Sequence, residues 1–108
     1  MIMQPGEVWL ADIRFTDASA SKIRPVLVLW LDGIDAIVAA VTTAQLRSAM
    51  DVPLVDWQSA GLRKPSTIRL SRLDCLEQTL LIRRLGLLSA ADGVQIRAVW
   101  DAHVKPRF

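Results

Sequence analysis

Three residues of this chain have the chemistry to grip a phosphodiester: Arg24, Arg69 and Thr42. Arg24 stands in "SASKIRPVLVLW" (19–30), where small polar residues and two cations meet the lip of the most hydrophobic segment. Arg69 lies in "STIRLSR", and Thr42 closes the apolar run "AIVAAVT". A guanidinium is a planar fork of donors that matches phosphate oxygens and stays charged at physiological pH. Pro25 biases Arg24 toward an extended backbone, which restricts where its side chain points. Strand alternation in "STIRLSR" puts Thr67, Arg69 and Ser71 on one face. The same residues also fit a solvated sheet end, and the residue pattern alone leaves both readings open.

Other chemistries lack their residues. The sequence has no Walker-type glycine loop, no GxGxxG and no pair of histidines at ligand spacing. Its one histidine, His103, falls near the end of the last segment, and serine–histidine–aspartate catalysis is not indicated. Cys75 is the one cysteine, so an intrachain disulfide and a multi-cysteine metal site are excluded, and the thiol is expected in the core. The net charge is +2 with a sequence pI near 9.2, compatible with nucleic acid without demanding it. Distribution says more: between Arg63 and Arg84 stand Arg63, Lys64, Arg69, Arg72, Arg83 and Arg84 against Asp74 and Glu77.

The elements that must position these side chains are short. With 108 residues, 52% apolar, the chain reads as a single domain spanning 1–108. No apolar run approaches a bilayer span, and "MIMQPGEVW" has no signal-peptide pattern, so a cytoplasmic protein with no membrane partner is expected. "GEVWLADIRF" predicts a first strand, and "TDASASK" a loop. "PVLVLWL" predicts a strand covered on both sides or lying at a subunit contact. Asp32-Gly33 predicts a hairpin turn, with Ala36 to Val41 returning. If those strands pair, Arg24 and Thr42 reach the same sheet end. "DVPLV", "STIRL" and "TLLIRRLG" predict further strands, with a turn between Asp74 and Gln78. Ser89 caps a final helix on which Ile96, Val99, Trp100 and His103 share a face. Trp30 and Trp100 are expected in the core or a dimer contact, and Trp57 is a candidate for a base or a protein partner. The pattern is a small, barrel-like α+β domain.

In order and spacing, "PGEVWLADI", "SKIRPVLVL", "IVAAVTTAQ", "GLRKPSTIRLSRL" and "LIRRLGLLS" resemble the MazF/PemK family of toxins from bacterial toxin–antitoxin systems. The resemblance covers about residues 5 to 100. It implies a mainly β, SH3-like (CcdB/PemK-type) barrel with a C-terminal helix, forming a symmetric homodimer. It implies sequence-specific, metal-independent cleavage of single-stranded RNA by 2′-hydroxyl attack, with no cofactor, and inhibition by a cognate antitoxin with an acidic C-terminal tail. Residue by residue, the family's catalytic positions match Arg24, Thr42 and Arg69, with the doubled threonine leaving Thr43 as the alternative to Thr42. Ser21, Lys22, Thr43, Lys64, Ser71 and Arg72 are then expected to contact RNA. PemK-like members carry an aspartate where this chain has Ser71, and the usual glycine is missing from "FTDASASK". Those departures favour an arginine–threonine chemistry. They also keep open a non-catalytic binding module of the same fold, for example one that binds gyrase.

Overall fold

A computed structural model of the chain describes residues 2–14 and 21–108, with the side chains of Arg14 and Ser21 excepted. Residues 16–20 of the expected loop therefore lie outside the described residues, and the second strand already begins at Ser21. Six strands form, β1 (Glu7–Arg14), β2 (Ser21–Asp32), β3 (Asp35–Thr42), β4 (Asp51–Pro53), β5 (Thr67–Glu77) and β6 (Leu81–Leu87), followed by α1 (Ala90–Val99). All neighbours pair antiparallel in the order β4-β5-β3-β2-β1-β6. The predicted α+β, mainly β architecture is found. Its outer strands β4 and β6 are not hydrogen-bonded to each other, so the sheet is curled but not closed.

Alternation along the apolar strands feeds two cores. Val8, Leu27, Ala39, Val41, Val52, Ile68 and Leu70 point to one side, where Ile96 of α1 joins them. Trp9, Ala11, Val26, Val28, Val38, Leu76 and Leu81 point to the other. Among the described residues α1 adds nothing to this second group, which draws only Met3 and, from a short 3₁₀ turn, Leu80 from outside the strands. Side chains from one face can bury one another only if the sheet bends over them, which is the barrel-like feature of the fold. Each fully buried aliphatic here stabilises by about 1.5–3 kcal/mol. β2 is thus covered on both sides because neither of its faces meets water along Val26–Val28.

The hairpin between β2 and β3 closes with Asp32 opposite Asp35, so the two-residue loop is Gly33–Ile34, one residue later than expected. Gly33 has φ 58°, which two-residue hairpin turns need and a side chain resists. The 74–78 turn also moves. β5 continues to Glu77, and a single 3₁₀ turn, Gln78–Leu80, leads into β6.

The reason is a bulge. Ala40 pairs with Arg69, but the next residue back on β3, Ala39, pairs with Leu73. Leu70, Ser71 and Arg72 are therefore extra on β5, and they reset which residues point inward beyond them. Leu76 is buried as a result, and Cys75, expected in the core, is exposed. Desolvation, then the nearby carboxylates of Asp35, Asp74 and Asp32, hold its thiol above the usual range, which keeps it protonated.

Ser89 caps α1 as expected, its Oγ accepting the Asp92 N–H at 3.2 Å. Asp92 does not complete a capping box. Its carboxylate is buried and accepts the N–H groups of Val55 and Asp56, both at 2.9 Å, tying the helix start to the segment after β4. Past Val99 the chain widens into a π-helical turn, Trp100–Val104. Extra residues per turn rotate the register, so Val104 packs on the first core while His103, expected on the packed face, is exposed. Trp30 and Trp100 meet edge to face at 5.6 Å, with Trp30 43% exposed rather than buried. Trp57 is half-buried against the first core. No helix among the described residues is long and apolar enough to cross a membrane.

Candidate functional site

The β2–β3 register decides what Arg24 meets. The β2–β3 ladder ends at Val26 opposite Ala40, and Arg24 and Thr42 stand two residues beyond that pair on their own strands, at the same sheet end. Across β3, Ala40 pairs with Arg69, which puts Arg69 on the same face one pair back. These side chains line one open cleft of about 440 Å³, together with Arg72 and Asp74. Its floor is Val26 and Val38, the exposed end of the second core, and Ile13 and Leu73 form apolar shoulders.

The two arginines differ sharply in environment. Arg24 is exposed and makes no hydrogen bond among the described residues. Arg69 is 7% exposed and largely committed. Its Nε donates to Asp51 Oδ1 at 3.1 Å, and Nη2 donates to Asp51 Oδ2 at 3.2 Å and to the Gln45 carbonyl at 3.1 Å. Only Nη1 is without a partner among the described residues. The fork-on-fork pair arises because Asp51 and Arg69 stand directly opposite in the β4–β5 ladder. Burial alone would raise the Asp51 carboxyl, but hydrogen bonds from Arg69 and from the Arg47 N–H (2.7 Å) hold it below its ordinary value. Thr42 is half-buried, and its Oγ1 accepts the Ala44 N–H at 3.1 Å, which orients the hydroxyl at the strand end.

The remaining expected residues divide. Lys22 is exposed two residues before Arg24, on the same face of β2. The Ser21 side chain lies outside the described residues. Ser71 sits at the tip of the bulge, exposed and outside the cleft lining; alternation had put it beside Arg69. Thr43 and Lys64 belong to a second cleft of about 520 Å³. Thr43 follows Thr42 in sequence and so points to the other side of the sheet. There it joins Lys64, Arg63, Arg83 and Ser66 over a floor that includes Leu10 and Leu62. Arg84 lines this cleft too but is paired, its Nε 2.6 Å from Glu7 Oε2.

Sequence reasoning missed Asp51, Asp74, Arg63 and Arg83. Asp51 had no signal beyond its charge, because only the β4–β5 pairing reveals its partner. Among the described residues no three of His, Cys, Asp and Glu gather as a metal site would require. An open basic cleft with a hydroxyl and an exposed guanidinium is suited to bind and polarise a phosphodiester.

A family model described as the PemK-like, MazF-like toxin of type II toxin–antitoxin systems matches residues 4–101. No curated protein matches the chain in sequence. Among solved structures, the chain is similar to an endoribonuclease from a mycobacterial species in complex with its cognate antitoxin, at 18% identity and a TM-score of 0.77, covering 97% of this chain and 98% of that one. The Mycobacterium tuberculosis toxin MazF-mt6 is similar at 25% identity and a TM-score of 0.71, over 89% and 94% of the two chains. A MazE–MazF structure from Deinococcus radiodurans is similar at 17% identity and a TM-score of 0.69, over 97% of each.

Proposed function

This chain belongs to the PemK-like, MazF-like toxins of type II toxin–antitoxin systems, and from that membership we propose that it is a sequence-specific endoribonuclease cutting single-stranded RNA without a metal. RNA brings its own nucleophile. Once the 2′-hydroxyl is aligned with the adjacent phosphorus, the 2′-oxygen bonds to phosphorus and gives up its proton, the bond to the 5′-oxygen breaks and that oxygen takes up a proton, leaving a 2′,3′-cyclic phosphate and a free 5′-hydroxyl. What the protein supplies is alignment and positive charge. Arg24 brings its whole guanidinium to the phosphate oxygens, and Arg69 brings the one edge that Asp51 leaves open. Thr42 orients the phosphate. Lys22 and Arg72 hold neighbouring phosphates on the first cleft, and Lys64 and Thr43 do so in the second.

The observation that carries this reading is the convergence of Arg24, Thr42 and Arg69 on one cleft at the end of the β2–β3 ladder. Similar structures include a toxin held by its cognate antitoxin and a MazE–MazF pair. They support a partner of the same kind here, an antitoxin; the acidic tail that would occupy the basic clefts, and the homodimer, rest on the family resemblance of the sequence. Arg24 is exposed and has no hydrogen-bond partner among the described residues, so Arg24→Ala should leave the urea midpoint within error. It should lower cleavage of single-stranded RNA in EDTA by about 100-fold or more, the value of one donor to a developing oxyanion. Full activity in Arg24→Ala would refute the assignment. Intact RNA with wild-type protein, across many sequences, would instead favour a non-catalytic module of the same fold.

A further inference from the structure

Asp74 is out of place in a cleft built for phosphate. The cleft's other charged lining residues are Arg24, Arg69 and Arg72, all cationic. A carboxylate there repels an approaching backbone, so its position marks a place where the nucleic acid presents something other than phosphate. The bulge puts it there. Without the three extra residues Leu70–Arg72, alternation from Arg69 would fill the cleft differently; with them, Asp74 falls opposite Val38, on the face shared with Ala40 and Thr42. Its Oδ1 accepts the Cys75 N–H at 3.0 Å, which fixes the plane of the carboxylate, while Oδ2 has no partner among the described residues.

Distance separates it from the reacting bond. Val38 and Thr42 are four residues apart on β3, about 13 Å at strand rise. Asp74 thus stands at the far end of the cleft from Arg24 and Thr42, beyond Arg69, where the base of a neighbouring nucleotide would lie. Ile13 and Leu73 offer apolar surface for the flat face of such a base. A carboxylate presents two parallel acceptors. Guanine alone among the four bases presents two adjacent donors, N1–H and the N2 amino group, on its Watson–Crick edge. Adenine and cytosine set an acceptor nitrogen beside their amino group, and uracil sets its single N–H between two carbonyls.

We propose that Asp74 reads a guanine next to the cleaved bond and so sets part of the sequence preference. The proposal rests on the nuclease reading above, and its test has an arm that does not. With oligonucleotides carrying guanine or inosine at each position around the cut, wild-type kcat/KM should fall roughly 5- to 150-fold at one position when the N2 amino group is lost, the discrimination of one good bidentate pair. In Asp74→Ala that ratio should collapse to about 1, with the guanine substrate reduced to the inosine level. A ratio unchanged in Asp74→Ala overturns the proposal. So does an equal loss on every sequence, which would place the carboxylate in the reaction itself. Binding gives the second arm. Titration of GMP against IMP, followed at the Cys75 amide by NMR, should show tighter binding of GMP in the wild type and no difference in Asp74→Ala. Equal binding in the wild type overturns guanine reading, whereas a preference for GMP without RNA cleavage supports it and removes the nuclease reading instead.

Discussion

Removing the Asp51 carboxylate should cost far more than an ordinary surface substitution. The side chain of Asp51 is 1% exposed and that of Arg69 is 9% exposed, so Asp51→Ala leaves a guanidinium buried with only the Gln45 carbonyl for company. Breaking a buried pair from one side costs about 3–5 kcal/mol. A chain of this size has a total stability of about 5–15 kcal/mol. The lower figure alone lowers Tm by roughly 12 °C or more, and it moves the urea midpoint down by at least about 1 M. The companion double variant Asp51→Leu/Arg69→Met removes both charges and should recover most of the loss, because the desolvation cost disappears with the charges. The pH dependence has a definite sign. The folded carboxyl of Asp51 lies below its ordinary value, with burial opposing and the Arg69 and Arg47 hydrogen bonds prevailing. Its stabilisation is therefore full above the unfolded value of about 3.9 and fades as pH falls through the folded one. Urea melts of wild type and Asp51→Asn should differ most near neutrality and converge below about pH 4. A loss under about 1 kcal/mol for Asp51→Ala at pH 7 would show that the pair is not the buried constraint described here.

Two other perturbations test different joints. Asp92→Ala removes the acceptor for the Val55 and Asp56 N–H groups and should cost about 1–3 kcal/mol. Faster hydrogen exchange should appear at those two amides, and unchanged exchange there would contradict the tie between α1 and the segment after β4. The second cleft predicts a salt effect: a combined Arg63→Ala, Lys64→Ala and Arg83→Ala variant should reduce the slope of log K against log salt for single-stranded RNA by about 2. An unaltered slope would take the second cleft off the RNA path.

Much of the fold was legible because local pattern and tertiary demand agreed. Val26 to Leu31 could only be a strand, buried on both sides along Val26–Val28, and Gly33 could only serve a tight turn. The hairpin brought Arg24 and Thr42 to the same sheet end, but the register there also depends on a one-residue shift between Val28 and Trp30 that the loop does not set. Three expectations failed beyond the bulge, for one reason. Ser71 was expected beside Arg69 from uninterrupted alternation, and three extra residues change the phase of everything after them, which turns Cys75 outward and carries β5 on to Glu77. His103 failed for the parallel reason in a helix, where the period changes at Trp100.

By itself the amino-acid sequence determined the strand-rich fold, the capped terminal helix and a basic, hydroxyl-bearing sheet end, because these follow from residue types and their periodicity. Only the tertiary structure decided that Arg69 is buried and held by Asp51 while Arg24 is exposed, that Thr42 and Thr43 line separate clefts, and that Asp74 rather than Ser71 lines the first. Each of those depends on pairing between strands distant in the chain, where one inserted residue reverses which side of the sheet a side chain occupies.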